Sequence, residues 1–153
     1  MGMNDRYDSV ILHFVARVVM IPLIVVFGIY VLLHGELSPG GGFQAGAIVA
    51  AALLLVRLAL GNRQAALQIP QGLLIWLACI GLGIYMFGGI LPLILGANFL
   101  DYAPIPVEWY NQFAGEDRTP RAMGILIIEI GVFLGVASVL VLIYDLIAGS
   151  SRQ

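Results

Sequence analysis

The sequence contains no lysine and a single cysteine, and only 10% of its 153 residues are charged. A soluble domain carries about 25% charged residues, so this chain cannot build a water-facing globular surface. With a net charge of −2 and its seven arginines scattered, it offers no basic patch, and nucleic acid is excluded as a partner. At 61% hydrophobic residues the chain is not disordered either. Cys79 lies inside an apolar run, which excludes a disulfide framework and a thiolate metal site. No cleavable leader is expected, because Asp5, Arg6 and Asp8 precede the first apolar stretch and no small-residue cleavage pattern follows it. Arg6 also stands where an N-myristoylation signal requires Ser or Thr.

What is present in quantity is apolar sequence, with a mean hydropathy of +1.01. Crossing a bilayer takes about 20 such residues in a helix. Four stretches qualify, at about 10–33, 43–60, 72–97 and 122–146. Nothing alternates with period two, so membrane strands are excluded. The fold expected is an all-α integral membrane protein of one domain, residues 1–153, with four transmembrane helices. The third stretch has room to tilt or bend around Gly88, Gly89 and Pro92. The connection 98–121 mixes Phe99, Tyr102, Trp109, Tyr110 and Phe113 with acidic residues, which suits the headgroup region, and it is expected to be a structured interfacial loop. Arg6, Arg57, Arg63 and Arg152 fall on one side and Arg118 and Arg121 on the other, which is expected to place both termini of this multi-pass chain in the cytoplasm.

The most specific local feature joins the first two spans: His34-Gly35-Glu36-Leu37-Ser38-Pro39-Gly40-Gly41-Gly42-Phe43-Gln44-Ala45-Gly46. Three successive glycines permit backbone angles closed to other residues. The Lys-Ser/Thr that completes a phosphate-binding loop is missing, so the expectation is a tight turn seating the second helix against another helix. Small residues favour close helix approach in lipid. They form one strip at Gly46, Ala47, Ala50 and Ala51 and another at Gly131, Gly135 and Ser138.

Ionisable residues at depth are costly, by at least ~2.5 kcal/mol, and are therefore functional-site candidates. Glu129 lies eight residues beyond Arg121, about 12 Å into the fourth span by helical rise. It needs a partner, water or a proton of its own. Arg17 lies seven residues into the first span, with His13 on the same face four positions earlier. Arg17 and Glu129 differ in depth by about 13 Å, so they are assigned separate partners, and Asp145 is at a better depth for Arg17. Glu129 also points almost opposite to the Gly131/Gly135 strip, since two residues advance ~200° around a helix. Two contrary faces that both avoid lipid are hard to arrange in a four-helix monomer, and this leads to the expectation of a subunit in a larger assembly. There is no catalytic triad, no paired acids, no metal-ligand spacing and no cofactor motif, and His13 and His34 sit at opposite ends of one span. Catalysis by the chain alone is not supported.

The glycine loop resembles that of a known family. Gly35, the run Ser38-Pro39-Gly40-Gly41-Gly42-Phe43, and Gly46 opening an Ala/Leu-rich helix match the MnhB subunit of the multi-subunit sodium/proton antiporters called Mrp or Mnh. Family members often carry His where this chain has Glu36, and His34 stands one residue out of register. The resemblance implies a small four-helix subunit, without catalysis of its own, of a complex that exchanges sodium ions for protons. Its partners would be the other antiporter subunits and membrane lipid, its place a prokaryotic cell membrane, and its task to help form the ion-translocating interface and the assembly. Glu129, Arg17, His13, Glu36 and His34 are the candidates for the ion path or buried charge. The same resemblance admits the ion-pumping module of a redox-driven complex such as a membrane-bound hydrogenase, and a purely structural assembly role remains the third reading.

Overall fold

The computed structural model describes residues 15–35, 41–60, 69–106, 108, 111–112 and 119–150. Its helices are α1 (Ile21–Leu33), α2 (Gly42–Leu60), α3 (Gln71–Ile94) and α4 (Pro120–Ser150), and a π-helical turn, Ala16–Met20, leads into α1. No strand occurs among the described residues. α2, α3 and α4 are long and apolar enough to cross a membrane, and Val18–Leu33 is a shorter apolar helix.

The helix ends have local causes. Pro22 lacks an N–H and its ring would collide with the carbonyl four residues earlier, and the wider π turn lies directly before it. α3 stops at Ile94 rather than running to 97 because Gly96 takes φ +83°. The Ala97 N–H then donates to the Pro92 carbonyl at 2.9 Å and the Gly96 N–H to the Leu93 carbonyl at 3.1 Å. This is the paired closure that satisfies the last helical carbonyls. α4 opens on Thr119-Pro120, with the Thr119 hydroxyl accepting from the Ala122 N–H at 3.3 Å. A hydroxyl cap before a first-turn proline uses both preferences of a helix start.

α4 is the central helix. Toward α3 the contacts run antiparallel. A Cβ added to Gly81 would meet the Gly131 carbonyl oxygen at 2.7 Å and the Gly135 nitrogen at 2.6 Å, while one on Gly88 would meet the Ile128 side chain at 3.0 Å. Toward α2 they run parallel: Gly42 lies against Glu129, Gly46 against Phe133 and Val136, and Arg57 against Asp145. α1 packs antiparallel on α2, with Gly28 against Val49 and Ala45. The up-down order of the helices follows from these contacts alone.

Beyond α3, residues 98–106 fold back over the start of α4. Tyr102, Ile105 and Met123 form a small apolar core with Leu91, Leu126, Ile127 and Ile128 packed against it. The Tyr102 ring covers Gly124, where a side chain would overlap it. Asp101 accepts from the Ala103 N–H at 3.3 Å, which tightens the turn. The remaining aromatic and charged residues of this connection (Trp109, Tyr110, Phe113, Glu116, Asp117 and Arg118) lie outside the described residues.

Candidate functional site

The Glu129 side chain projects from α4 into the place where α1 ends and α2 begins. Its carboxylate lies against the backbone of Gly35 and Gly41, and its main-chain carbonyl lies against Gly42. A Cβ on Gly41 would sit 2.6 Å from Oε1, and one on Gly35 would overlap both carboxylate oxygens. Real Cβ atoms do not come that close: a side chain at Gly35 or Gly41 would displace the Glu129 carboxylate, and one at Gly42 would strike the Glu129 main chain itself. The sequence pattern suggested unusual backbone angles as the reason for the glycines. Gly41 and Gly42 instead keep ordinary φ, and the only positive-φ glycine among the described residues is Gly96. At Gly41 and Gly42 what is needed is space, while Gly40 lies outside the described residues.

This arrangement sets the α2 N-terminus beside the carboxylate. The Ala45 N–H donates to the Gly41 carbonyl at 3.0 Å, so Gly41 is the residue from which the helix starts. The first N–H groups of a helix carry partial positive charge and favour a neighbouring anion. Glu129 stands nine residues into α4, so α2 begins about 13 Å along it by helical rise. The meeting point is thus well inside the span of α4, where irregular backbone is tolerated only when protein or water covers it. Glu129 is half-buried and has interactions of its own.

The other candidates distribute as follows. His34 is exposed at the end of α1, one residue from Gly35; its Nδ1 donates to the Tyr30 carbonyl at 3.0 Å and its ring stacks on Tyr30 at 4.1 Å. The carbonyl can only accept, which leaves Nε2 as the free ring position. Phe43 is exposed, and Gly46 is buried against the Phe133 carbonyl and Val136. Arg17 falls in the π-helical turn, and its side chain is outside the description, as are His13, Glu36, Ser38, Pro39 and Gly40. The α2 strip differs from the expected one: Ala45, Gly46, Ala50 and Ala52 are buried, while Ala51 faces out. Gly131 meets the backbone of Gly81 and Tyr85 on α3. Ser138 is buried, with its hydroxyl donating to the Leu134 carbonyl at 2.6 Å, and a Cβ at Gly135 would meet nothing within 4 Å. Gly135 lines an apolar groove of about 460 Å³ between α3 and α4, shared with Cys79, Leu82 and Tyr85.

Two sequence expectations change here. Asp145 does not wait for Arg17. It accepts from Arg57 Nε at 2.6 Å and Nη2 at 2.7 Å, while Nη2 also donates to the Ile69 carbonyl at 3.2 Å. Arg57 is 1% exposed, so a residue counted among the flanking positive charges is a buried one. Its place near the end of an apolar helix concealed this, because an arginine there is compatible with reaching water. The second change concerns shielding. α2 covers part of the Glu129 face of α4 and α3 covers Gly131, so this chain itself packs on both contrary faces, while Gly135 stays open to a groove.

At the Thr119 end a second concavity of about 700 Å³ is lined by Asp101, Tyr102, Thr119 and Arg121. Burial, and then the neighbouring Tyr85, push the Tyr102 hydroxyl above its ordinary value of 10.0. No group of three His, Cys, Asp or Glu able to hold a metal ion exists among the described residues.

Comparison with known proteins places these features. Residues 11–142 match the family described as "Domain related to MnhB subunit of Na+/H+ antiporter". The chain is 33% identical over 135 residues to the B-type Na(+)/H(+) antiporter subunit of Alkalihalophilus pseudofirmus, covering 86% of this chain and 91% of that protein. It is 28% identical over 148 residues to the "Putative antiporter subunit mnhB2" of Staphylococcus saprophyticus, covering 94% and 97% respectively. The Staphylococcus aureus protein of the same name is also 28% identical, over 144 residues. A match across nearly all of the helical chain, with the glycine loop inside it, shows that the protein belongs to the MnhB family.

Proposed function

We propose that this chain is a small membrane subunit of a multi-subunit sodium/proton antiporter and that Glu129 borders the path of the exchanged ions. The first part is supported by the family match and by relatives named as antiporter subunits. The second is carried by one observation: a carboxylate within the α4 span is received by the glycine backbone at the α1–α2 junction. An acid retained inside a membrane span is a functional-site candidate by default, and here three positions lack side chains where its atoms need the room. Protons and sodium ions are the substrates of this reading, and other subunits and lipid are the surroundings. The exposed His34 ring lies one residue from this junction and keeps one ring nitrogen outside its bond to Tyr30. With Arg57 set aside as buried, Arg6, Arg63 and Arg152 against Arg118 and Arg121 still favour cytoplasmic termini, which sets the Arg57–Asp145 end of α2 and α4 on the cytoplasmic side.

The test is Glu129→Gln in the complete complex, assayed as sodium-dependent proton movement in everted membrane vesicles. The amide keeps the size and removes the charge, so assembly should persist while exchange falls at least about tenfold, as expected for loss of a proton-transferring group. Undiminished exchange by an assembled Glu129→Gln complex would leave this chain with a purely structural role.

A further inference from the structure

α2 and α4 meet at several levels along their length, and the levels differ in kind. From Gly42 through Gly46 to Ala50, α2 offers α4 a surface of small residues, with Leu53 and Leu54 packed beside its Ala50 end. Such surfaces allow close approach, but axial register between helices is normally set by protruding side chains seated in grooves. At the far end of the same contact stands a directional one. Arg57 and Asp145 are 1% and 8% exposed and meet through two hydrogen bonds, with the Ile69 carbonyl as a third acceptor. A guanidinium fork on a carboxylate fixes orientation as well as distance. Sliding α2 by one residue would displace it about 1.5 Å, enough to break both bonds.

We propose that Arg57 and Asp145 are positioning residues for the Glu129 site: their fork locks the register of α2 on α4 and so keeps Gly41 and Gly42 against Glu129. The inference rests on the ion-path reading for its consequence in exchange, but not for its geometry. α2 is a single uninterrupted helix between the two places, so an axial shift at Arg57 is passed to Gly42. At Gly42 the fit to the Glu129 backbone is too close to absorb it. Fixing register is also the best-attested use of a buried ion pair, whose net contribution to stability is often small.

That last point supplies the discriminating variant. Replacing both partners by apolar residues of similar volume removes the fork without stranding a charge. In the complete complex in native membranes, Arg57→Met with Asp145→Leu should assemble. Modification of Glu129 by a hydrophobic carbodiimide, read by mass spectrometry, should rise about fivefold, within the range for sites coupled through one packed contact. Exchange should fall in parallel. Unchanged Glu129 labelling in the assembled double variant overturns the proposal and leaves the fork a local fastening. Should the double variant not accumulate, Arg57→Lys decides. It keeps the charge and loses the fork, and wild-type labelling in that protein equally overturns the register lock. The labelling readout stands whether or not Glu129→Gln abolishes exchange, so the two readings fail separately.

Discussion

The two sides of α4 are packed by different means. Toward α3 the contact is apolar, made where Gly81, Gly88 and Gly131 let backbone approach backbone or aliphatic side chain. Toward α2 the contact includes ionisable groups at both ends, Glu129 against the glycine junction and Asp145 against Arg57. Close apolar packing brings α3 and α4 together and needs nothing else to explain it. Glycines set around a carboxylate are different, because they restrict the choice of residue without adding apolar contact. The ionisable groups among these contacts therefore lie on the α2 side. The two ends of that side differ in turn: Asp145 meets a guanidinium fork, whereas the Glu129 carboxylate lies against the backbone at a helix start.

The largest expected effect comes from filling the α2 side at its tightest point. Gly42→Val would place methyl groups on the Glu129 main-chain carbonyl, where neither partner is a flexible side chain. Ordinary overpacking costs about 1–3 kcal/mol, and a backbone-on-backbone collision exceeds it. The variant should be lost from the complex when the other subunits are purified in mild detergent. Normal recovery would mean that the junction is looser than its geometry and would weaken every statement made about Glu129.

At the other end, Asp145→Ala leaves the Arg57 guanidinium buried with only the Ile69 carbonyl among its present acceptors. Removing one partner of a buried pair costs about 3–5 kcal/mol. The detergent-solubilised complex should melt well below the wild type, and Arg57→Met added to Asp145→Ala should recover most of the loss. A melting temperature unchanged by Asp145→Ala would show that Arg57 finds water or another acceptor, and the contrast between the two ends would lose one term.

How much of this was legible in the sequence depends on which property carried the information. Four apolar stretches, the glycine junction and Glu129 could all be read, because hydropathy, an unusual glycine run and an acid in an apolar segment are properties of single residues or short runs. The end of α3 could have been read too: Gly96, with Asn98 two residues on, is a helix-stop signal, and apolar length alone carried the expected boundary past it. The convergence of Gly35, Gly41 and Gly42 on Glu129 was not legible, since those positions lie some ninety residues away in sequence and no local pattern links them. The same is true of Arg57 and Asp145. An arginine three residues from a helix end reads as a flanking charge until its partner is seen. The geometric step from two contrary faces of α4 to an external partner was incomplete, because α2 and α3 flank the helix and cover part of both faces. The place of the chain in a larger complex stands instead on the family match.

The smallest effect tests the α3 side against itself. Gly131 and Gly135 are one turn apart, yet only Gly131 is closed in: a Cβ there would lie 2.7 Å from the Tyr85 nitrogen and 2.8 Å from the Gly81 carbonyl oxygen. Gly131→Ala must push α3 away and should cost about 1–3 kcal/mol, as overpacking does. Gly135→Ala projects into the open groove and should be neutral or stabilising by up to about 1 kcal/mol, since alanine loses less freedom than glycine in a helix. Thermal melts of the two variants in the solubilised complex make the comparison directly. Equal losses would mean that the cost on this side of α4 is set outside the chain, by whatever packs over the groove, and not by α3. In that case the α3 side could no longer serve as the inert reference against which the α2 side stands out.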